Sequence, residues 1–376
     1  VEIKDGTFNT ALGSETGDDL EDGDYNTLLG FVSGKRLINH QGNTFAGYES
    51  GYYVQGDKNV IIGYLAGDDG YDRDAQNTVY VGSYADGWGT RRNAVCLGVG
   101  ARAQYDGVSI GYITEVKEPY SVGLGYDGNS DSDGSVGMGY QFNVAGGNFS
   151  IGIGDQADID NSYAVGIGTS VNIDNTEAIA IGDNTSATGN YSIAYGPSAS
   201  VSGNNSVALG NGVSVTTDHT ITIGNSAVTS IRGTVNWTTL SDGRYKTAVK
   251  KDVPGLAFID ALRPVSYELN AQPGIRYSGF IAQEVEAAAE SLGYDFSGVK
   301  KAQHEQDHYG LRYAAFVVPL TKAVQELDEE YKENEAQITQ NETKLQYYAS
   351  AIAQLKAKVA QLQQRKAASN ATVAVD

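Results

Sequence analysis

Residues 176–189 read Thr-Glu-Ala-Ile-Ala-Ile-Gly-Asp-Asn-Thr-Ser-Ala-Thr-Gly, and this stretch decides the fold of the first two thirds of the chain. In Ile179-Ala-Ile-Gly182, small and large side chains alternate with the period of two that is typical of a β-strand. The run is too short for a helix, and its closing Gly permits a positive φ or a close backbone approach. Residues 184–189 repeat the form with smaller side chains. The unit therefore predicts two short strands and two turns.

The phrase that ends in this Gly recurs throughout residues 1–240. The closing residues are Gly13, Gly30, Gly47, Gly63, Gly82, Gly98, Gly111, Gly125, Gly139, Gly154, Gly168, Gly182, Gly196, Gly210 and Gly224. Their spacing varies between 13 and 19 residues and settles at 14 after Gly154, which is typical of a stacked repeat fold. Coils stacked about 4.8 Å apart predict a narrow parallel roll on the order of 70 Å long. A roll this thin leaves apolar surface exposed, and the association of three copies would bury that surface.

The copies between Gly139 and Gly224 resemble the head repeats of trimeric autotransporter adhesins. The phrases Ser206-Val-Ala-Leu-Gly210 and Thr176-Glu-Ala-Ile-Ala-Ile-Gly182 carry the resemblance best. It implies a left-handed parallel β-roll within a trimer. The copies before Gly125 are longer, richer in Tyr and Asp, and depart from that pattern.

Charge and composition exclude several classes of partner. Residues 1–240 hold 28 acidic and 10 basic side chains, and 40 of the 47 glycines. Phosphate contacts need Lys and Arg, so the acidic body argues against binding nucleic acid or anionic lipid. No run of 18 apolar residues is present, which predicts no membrane insertion. Cys96 is the only cysteine, and we interpret it as a small buried residue rather than a reactive thiol.

A second group of phrases lies in the last third of the chain. Leu240-Ser-Asp-Gly-Arg-Tyr-Lys246 comes first, and four further phrases follow at residues 255–267, 279–285, 311–313 and 318–327. In this order they resemble the intramolecular chaperone domain of phage tail fibres and tailspikes, which is also called the S74 peptidase domain. Such domains trimerise, help the preceding fibre to fold and then cut themselves off.

The resemblance assigns the nucleophile position to Ser241 and the base position to Lys246, with the cut at the Leu240–Ser241 bond. A Ser hydroxyl is a weak nucleophile until a neighbour removes its proton, and a lysine amine can do so once burial lowers its pKa. Residues five apart on a strand face opposite ways, so a turn is required, and Asp242-Gly243 supplies its chemistry. We interpret Asp242, Gly243 and Arg244 as supporting residues. Without the resemblance, the same residues read as an ordinary cap and a surface charge.

The end of the chain has a heptad pattern. The a positions are Val324, Tyr331, Ile338, Leu345, Ile352 and Val359, and the d positions are Leu327, Asn334, Asn341, Tyr348, Leu355 and Leu362. This pattern predicts a coiled coil; Asn334 and Asn341 either fix its register or mark a wetter part of the seam. The expected fold is mainly β: a repetitive roll over 1–235, a small α+β chaperone domain over 236–320, a coiled-coil helix over 321–366 and a frayed tail over 367–376.

Three tempting patterns have plainer interpretations. His304-Glu-Gln-Asp-His308 matches the zinc motif H-E-x-x-H, but that motif needs a helix and the segment reads as a loop, so we expect no metal and no cofactor. Acidic pairs such as Asp18-Asp19, Asp68-Asp69, Asp72/Asp74 and Asp131/Asp133 read as turns rather than Ca²⁺ ligands or glycosidase carboxylates. The many Tyr residues, such as Tyr48, Tyr126 and Tyr140, suit either contact with sugars and receptors or filling of the trimer interior.

The sequence thus predicts a homotrimeric fibre that attaches to a cell-surface receptor, a glycan or a surface protein. Its place would be a virion tail or a related injection particle, made in the host cytoplasm because no signal peptide is seen. Its only enzymatic act would be one self-cleavage by a Ser–Lys dyad, without an external substrate. The alternatives are a tailspike-type polysaccharide depolymerase and a cell-surface trimeric adhesin.

Overall fold

The computed structural model describes residues 5–68, 70, 74–87, 92–270, 272–303 and 307–373. The chain forms two compact units that divide between Ile231 and Arg232. Within the described residues, no helix is both long enough and apolar enough to cross a membrane.

The first unit is a parallel β-solenoid of about fifteen coils, as the repeat predicted. Within the described residues, fifteen strands form sheet 1, each paired with the next along the chain. They are Thr10–Leu12, Thr27–Leu29, Thr44–Ala46, Val60–Ile62, Val79–Val81, Val95–Leu97, Val108–Tyr112, Val122–Tyr126, Val136–Tyr140, Ile151–Asp155, Val165–Ile167, Ile179–Ile181, Ile193–Tyr195, Val207–Leu209 and Ile221–Ile223.

Sheet 2 lies on the other side of the core and has ten parallel strands within the described residues. They are Asp86–Gly87, Arg102–Ala103, Glu115–Val116, Asn129–Ser130, Asn143–Val144, Asp158–Ile159, Asn172–Ile173, Ser186–Ala187, Ser200–Val201 and Ser214–Val215. Because its first described strand is Asp86–Gly87, the earlier coils close through turns instead of a second strand. These are the longer copies that departed from the repeat pattern.

The two sheets fill the core by complementary side-chain size. The second residue of each sheet 1 strand points inward and its two neighbours point outward. Where sheet 1 places Gly137 inside, sheet 2 supplies Phe142; a Cβ built on Gly137 would lie 2.2 Å from that ring. The core is not as thin as the sequence suggested, because Phe45, Tyr80 and Phe142 are all fully buried. Phe45 and Tyr80 lie in the longer coils, whereas the Phe142 ring occupies the space that Gly128 and Gly137 leave open.

The closing glycines allow the coils to stack. Gly125 has φ 147°, and a Cβ built on it would lie 1.8 Å from the carbonyl oxygen of Gly139 in the next coil. The corresponding glycines from Gly13 to Gly210 have φ between 125° and 147°. This conformation and this close approach together require glycine.

The second unit contains three α-helices in its described residues: α1 (Leu256–Ala261), α2 (Ala282–Ser291) and α3 (Val317–Val373). Short 3₁₀ helices span Gly243–Tyr245 and Tyr313–Phe316. Two antiparallel ribbons pair Val265–Leu269 with Gln272–Gly279 and Val299–Lys300 with Gly310–Leu311. A small core forms from Phe258 of α1, Val285, Ala288 and Ala289 of α2, and Phe296 and Phe316.

Helix α3 carries the predicted heptads but extends beyond the predicted segment at both ends. It begins at Val317 and continues to Val373, where a frayed tail was expected from residue 367. Adding a residue to an existing helix costs little, and Ala-rich sequence favours it. The apolar a and d side chains, from Val324 to Leu362, are each more than half exposed in the single chain. They form a continuous stripe that no other part of this chain covers within the described residues.

Candidate self-cleavage site

Ser241 and Lys246 meet in the structure. The Nζ of Lys246 donates a hydrogen bond to the Oγ of Ser241 across 2.7 Å. An amine at this distance from a hydroxyl is within reach to take its proton. Four residues, 242–245, separate Ser241 from Lys246, so the backbone between them must turn back sharply.

A single 3₁₀ turn, Gly243–Tyr245, brings the pair together. Asp242 caps it: its Oδ1 accepts a hydrogen bond from the Arg244 backbone N–H at 2.9 Å. The Arg244 Nε also donates to Asp242 Oδ2 at 2.9 Å. The turn closes where the Lys246 N–H donates to the Gly243 carbonyl at 3.1 Å. These bonds fix the direction in which the Lys246 side chain leaves the backbone.

Arg244 also sets the charge of the cap. Its guanidinium lowers the pKa of the Asp242 carboxyl below the usual value, mainly through the side-chain hydrogen bond. The carboxylate therefore stays ionised, and keeps its hydrogen bonds, at neutral pH. Asp242 and Arg244 thus pair with each other within the turn.

The surroundings of the pair are open in the single chain. Ser241 and Lys246 are both exposed, although the chemistry expected from the sequence requires a buried amine. Apolar side chains before the pair are exposed as well: Val235 is 84 % exposed, Trp237 88 % and Leu240 74 %. A single chain thus presents both the dyad and the residues that precede it without cover.

The chaperone core is tied to α3 by one carboxylate. Glu326 Oε2 of α3 accepts a hydrogen bond from the backbone N–H of Leu256 at 2.7 Å, at the first residue of α1. This bond lowers the pKa of Glu326 and satisfies one of the N–H groups that the start of a helix leaves without a partner. The first turn of α1 is thereby fixed to the long helix.

Comparison with known protein families supports both resemblances. Residues 241–294 match the family model described as chaperone of endosialidase, peptidase S74, and the match begins at Ser241. Two overlapping segments, 175–199 and 187–212, match the YadA head domain repeat. The two predicted resemblances are confirmed. A search of curated proteins found no match. Head repeats followed by a chaperone segment point to a trimeric fibre or adhesin with a C-terminal chaperone.

The structure describes only part of the other candidate sites. Among the described residues, no group of three His, Cys, Asp or Glu side chains is placed to hold a metal ion. His304, Glu305 and Gln306 of the H-E-x-x-H motif, and Asp69 and Asp72 of the acidic pairs, lie outside the described residues. Asp131 and Asp133 lie where one sheet 2 strand ends and the chain turns. Cys96 is fully buried, and its Sγ donates to the Asp86 carbonyl at 2.8 Å.

The sequence did not predict how the Tyr side chains are arranged. Several of them follow a closing Gly directly, so the register of sheet 1 aligns them from coil to coil. The signal was present in the Gly-Tyr pairs at Gly111, Gly125 and Gly139.

Proposed function

We propose that this chain is the distal part of a homotrimeric fibre that attaches a tail or injection particle to a cell surface. Its C-terminal unit drives assembly of the trimer and then releases itself by cutting the Leu240–Ser241 bond. The observation that carries the proposal is the 2.7 Å contact between Lys246 Nζ and Ser241 Oγ, at the first residue of the chaperone match.

The cleavage chemistry follows from this contact. The neutral amine of Lys246 takes the hydroxyl proton while Ser241 Oγ attacks the carbonyl carbon of Leu240. The C–N bond breaks, the nitrogen leaves as the new amino terminus of Ser241 with the proton, and an ester remains between Leu240 and Ser241 Oγ. Water then hydrolyses the ester to the Leu240 carboxylate and the free hydroxyl. Only one turnover is possible, because the substrate is the chain itself.

Assembly into a trimer would provide the burial that the chemistry needs. In one chain the Lys246 side chain is exposed to water, whereas burial is what favours the neutral form of an amine, the form that accepts a proton. Packing of three chains around this segment would remove water and favour the neutral amine. Cleavage is then coupled to assembly: an unassembled chain stays whole, and an assembled one is cut.

Three exposed apolar surfaces support association of identical copies. The first is the outer face of sheet 1, where the third residue of many strands is apolar and more than a third exposed; examples are Leu29, Ile62, Val81, Ile110 and Ile167. The second is the segment with Val235, Trp237 and Leu240. The third is the heptad stripe of α3. Surfaces this extensive and repetitive mark interaction sites, and heptads are the pattern of helices that pair with helices.

Release after assembly gives the fibre kinetic stability. Long-range β structures fold slowly and expose their edges while they fold. A trimerising end raises the local concentration of the three chains. Once the C-terminal unit has been released, chains that unfold lack the domain that would reassemble them. Unfolding therefore becomes effectively irreversible.

Native mass spectrometry of the purified protein tests the assembly. We expect three copies of residues 1–240, and Trp237 protected from acrylamide quenching in the assembled particle; Trp88→Phe isolates the signal of Trp237. A single-chain mass, or Trp237 quenched as in free tryptophan, would contradict the trimer. Attachment is tested by binding of the fluorescently labelled fibre to candidate host cells.

A second candidate is a trimeric adhesin displayed on a cell, favoured by the YadA head repeats at 175–212. Fractionation of the producing organism separates the two: an adhesin stays with the cell envelope, whereas a particle fibre is recovered with the particle.

A further inference from the structure

A row of aromatic side chains lies on the outside of the solenoid, at the corner where three sheet 1 strands end. Tyr112, Tyr126 and Tyr140 are register partners in three successive coils. Their ring centroids are 4.9 and 5.1 Å apart, and their planes differ by 13° and 10°. Each side chain is between 43 and 46 % exposed. We call these three residues the tyrosine row.

Closing the coil does not require an aromatic residue at this corner. In the next coil Asp155 pairs in register with Tyr140, and later coils place Thr169, Asp183, Pro197 and Asn211 after the closing Gly. The closing Gly keeps the same conformation, with φ 147° at Gly125 and 142° at Gly168. The closing Gly thus has the same conformation with or without Tyr after it, so this turn of the backbone does not depend on the rings.

The same corner is aromatic a second time, nearer the start of the chain. Phe31, Tyr48 and Tyr64 follow Gly30, Gly47 and Gly63, with centroids 5.5 and 5.2 Å apart and planes nearly parallel. Two separate groups of coils thus carry a regular row at the same place, which indicates selection for a repeating surface.

Polar side chains that suit hydroxyl groups lie beside the tyrosine row. The residue after Tyr126 is Asp127 and the residue after Tyr140 is Gln141, both exposed, whereas Ile113 follows Tyr112. Gln141 Nε2 donates to Asp127 Oδ2 at 3.1 Å. A carboxylate accepts hydrogen bonds only, an amide donates and accepts, and the Tyr hydroxyl does both. Since the rings cover one another's faces, a ligand would meet their edges and hydroxyls, next to these polar groups.

We propose that the tyrosine row, with Asp127 and Gln141, binds a linear, uncharged polysaccharide lying along the solenoid axis. The inference rests on the proposed attachment function and names the chemical class of the receptor. A surface that repeats every 5 Å or so suits a polymer whose unit is about one sugar ring long. An extended polypeptide advances about 3.3 Å per residue and does not keep step with it. The net acidic charge of residues 1–240 repels acidic glycans.

Titration of the full protein with defined oligosaccharides tests this proposal. Cellohexaose and mannohexaose serve as uncharged probes and a hyaluronan hexasaccharide as the acidic one, with saturation-transfer NMR as the readout. The variant is Tyr126→Thr with Tyr140→Thr, since the chain itself has Thr169 at this corner. The control is Tyr191→Asn, an exposed Tyr at a repeat position that Asn205 also occupies.

We expect binding of at least one uncharged probe, weakened about tenfold or more in the double variant, unchanged in the control, and stronger than that of hyaluronan. Failure of both uncharged probes to bind, or equal binding by the double variant, would overturn the proposal. Loss of trimer mass in the double variant would also overturn it, because the row would then be a contact between copies.

If the wild-type fibre attaches to cells and the double variant attaches equally well, the sugar-binding role of the tyrosine row is wrong while the attachment function stands. If the fibre binds the sugar but no cell, the site stands and the attachment function fails.

Discussion

Asn59 donates hydrogen bonds from both its backbone nitrogen and its side-chain amide to the Oδ1 of Asn43, at 3.0 and 3.1 Å. The two residues are one coil apart and fully buried. The same pair of bonds joins Asn26 to Asn9 and Asn43 to Asn26. Each amide also donates to a carbonyl across the coil, Gly56 in the case of Asn43. The Asn residues that open the early repeats therefore form a ladder of hydrogen bonds inside the solenoid. The ladder provides partners for backbone groups in coils that have no sheet 2 strand.

Replacing Asn43 by Ala should destabilise the early coils. The change leaves the Gly56 carbonyl and the Asn59 amide without their buried partner, at a cost of about 2–4 kcal/mol. Thermal unfolding followed by circular dichroism measures the loss. Asn211→Ala is the matched control because Asn211 is exposed, and it should leave the melting temperature within experimental error. Equal melting of both variants would show that the ladder contributes nothing.

Gly125→Ala should be among the most damaging single changes in the solenoid. Its φ of 147° strains any other residue, and the added Cβ would overlap the Gly139 carbonyl oxygen, so we expect a loss of about 3 kcal/mol or more. Gly212 has φ 61° and open space around it, so Gly212→Ala isolates backbone strain alone, about 1 kcal/mol. Similar losses in the two variants would contradict the role assigned to coil stacking.

Leu355→Lys should prevent association of the released C-terminal piece. Leu355 is a d position, 62 % exposed in the single chain, and a charge there would have to be buried in a coiled coil. Sedimentation equilibrium of residues 241–376 should show a trimer for wild type and a smaller species for the variant. Gln354→Lys adds the same charge one position away, outside the seam, and should still form the trimer. If both variants assemble normally, α3 is not the assembly helix.

Asp242→Ala should slow self-cleavage without abolishing it. The carboxylate caps the turn that carries Lys246 to Ser241, but it takes no part in the proton transfer. Because Arg244 lowers the pKa of Asp242, the carboxylate remains charged at pH values where an ordinary Asp already begins to take up a proton. Its contribution to the turn is lost only as the pH falls through the lowered value. A time course of cleavage by gel electrophoresis at neutral pH measures the effect, with Asp252→Ala as control. Complete loss of cleavage would assign Asp242 a direct catalytic part instead.

The sequence predicted the elements that depend on short-range pattern. Alternation in Ile179-Ala-Ile-Gly182 and the spacing of the closing glycines were enough for the solenoid, and the heptads were enough for α3. The Asn ladder and the tyrosine row depend on which residues become neighbours after stacking. The register between coils determines which residues become neighbours, and the sequence of a single repeat does not specify that register. Similarly, the phrase Leu240–Lys246 predicted the Ser241–Lys246 pair, whereas it did not predict that Lys246 would be exposed in the single chain.

The intact mass of freshly folded protein, measured beside Ser241→Ala and Lys246→Ala, tests the central claim most directly. We predict that the wild type splits into pieces of residues 1–240 and 241–376, and that both variants stay whole. Lys246→Arg, which keeps the charge but cannot lose its proton near neutral pH, should also stay whole. A wild-type chain that remains uncut after native assembly would contradict the account, as would a variant that is cut at the same bond; the C-terminal unit would then be an assembly domain without self-cleavage by this dyad.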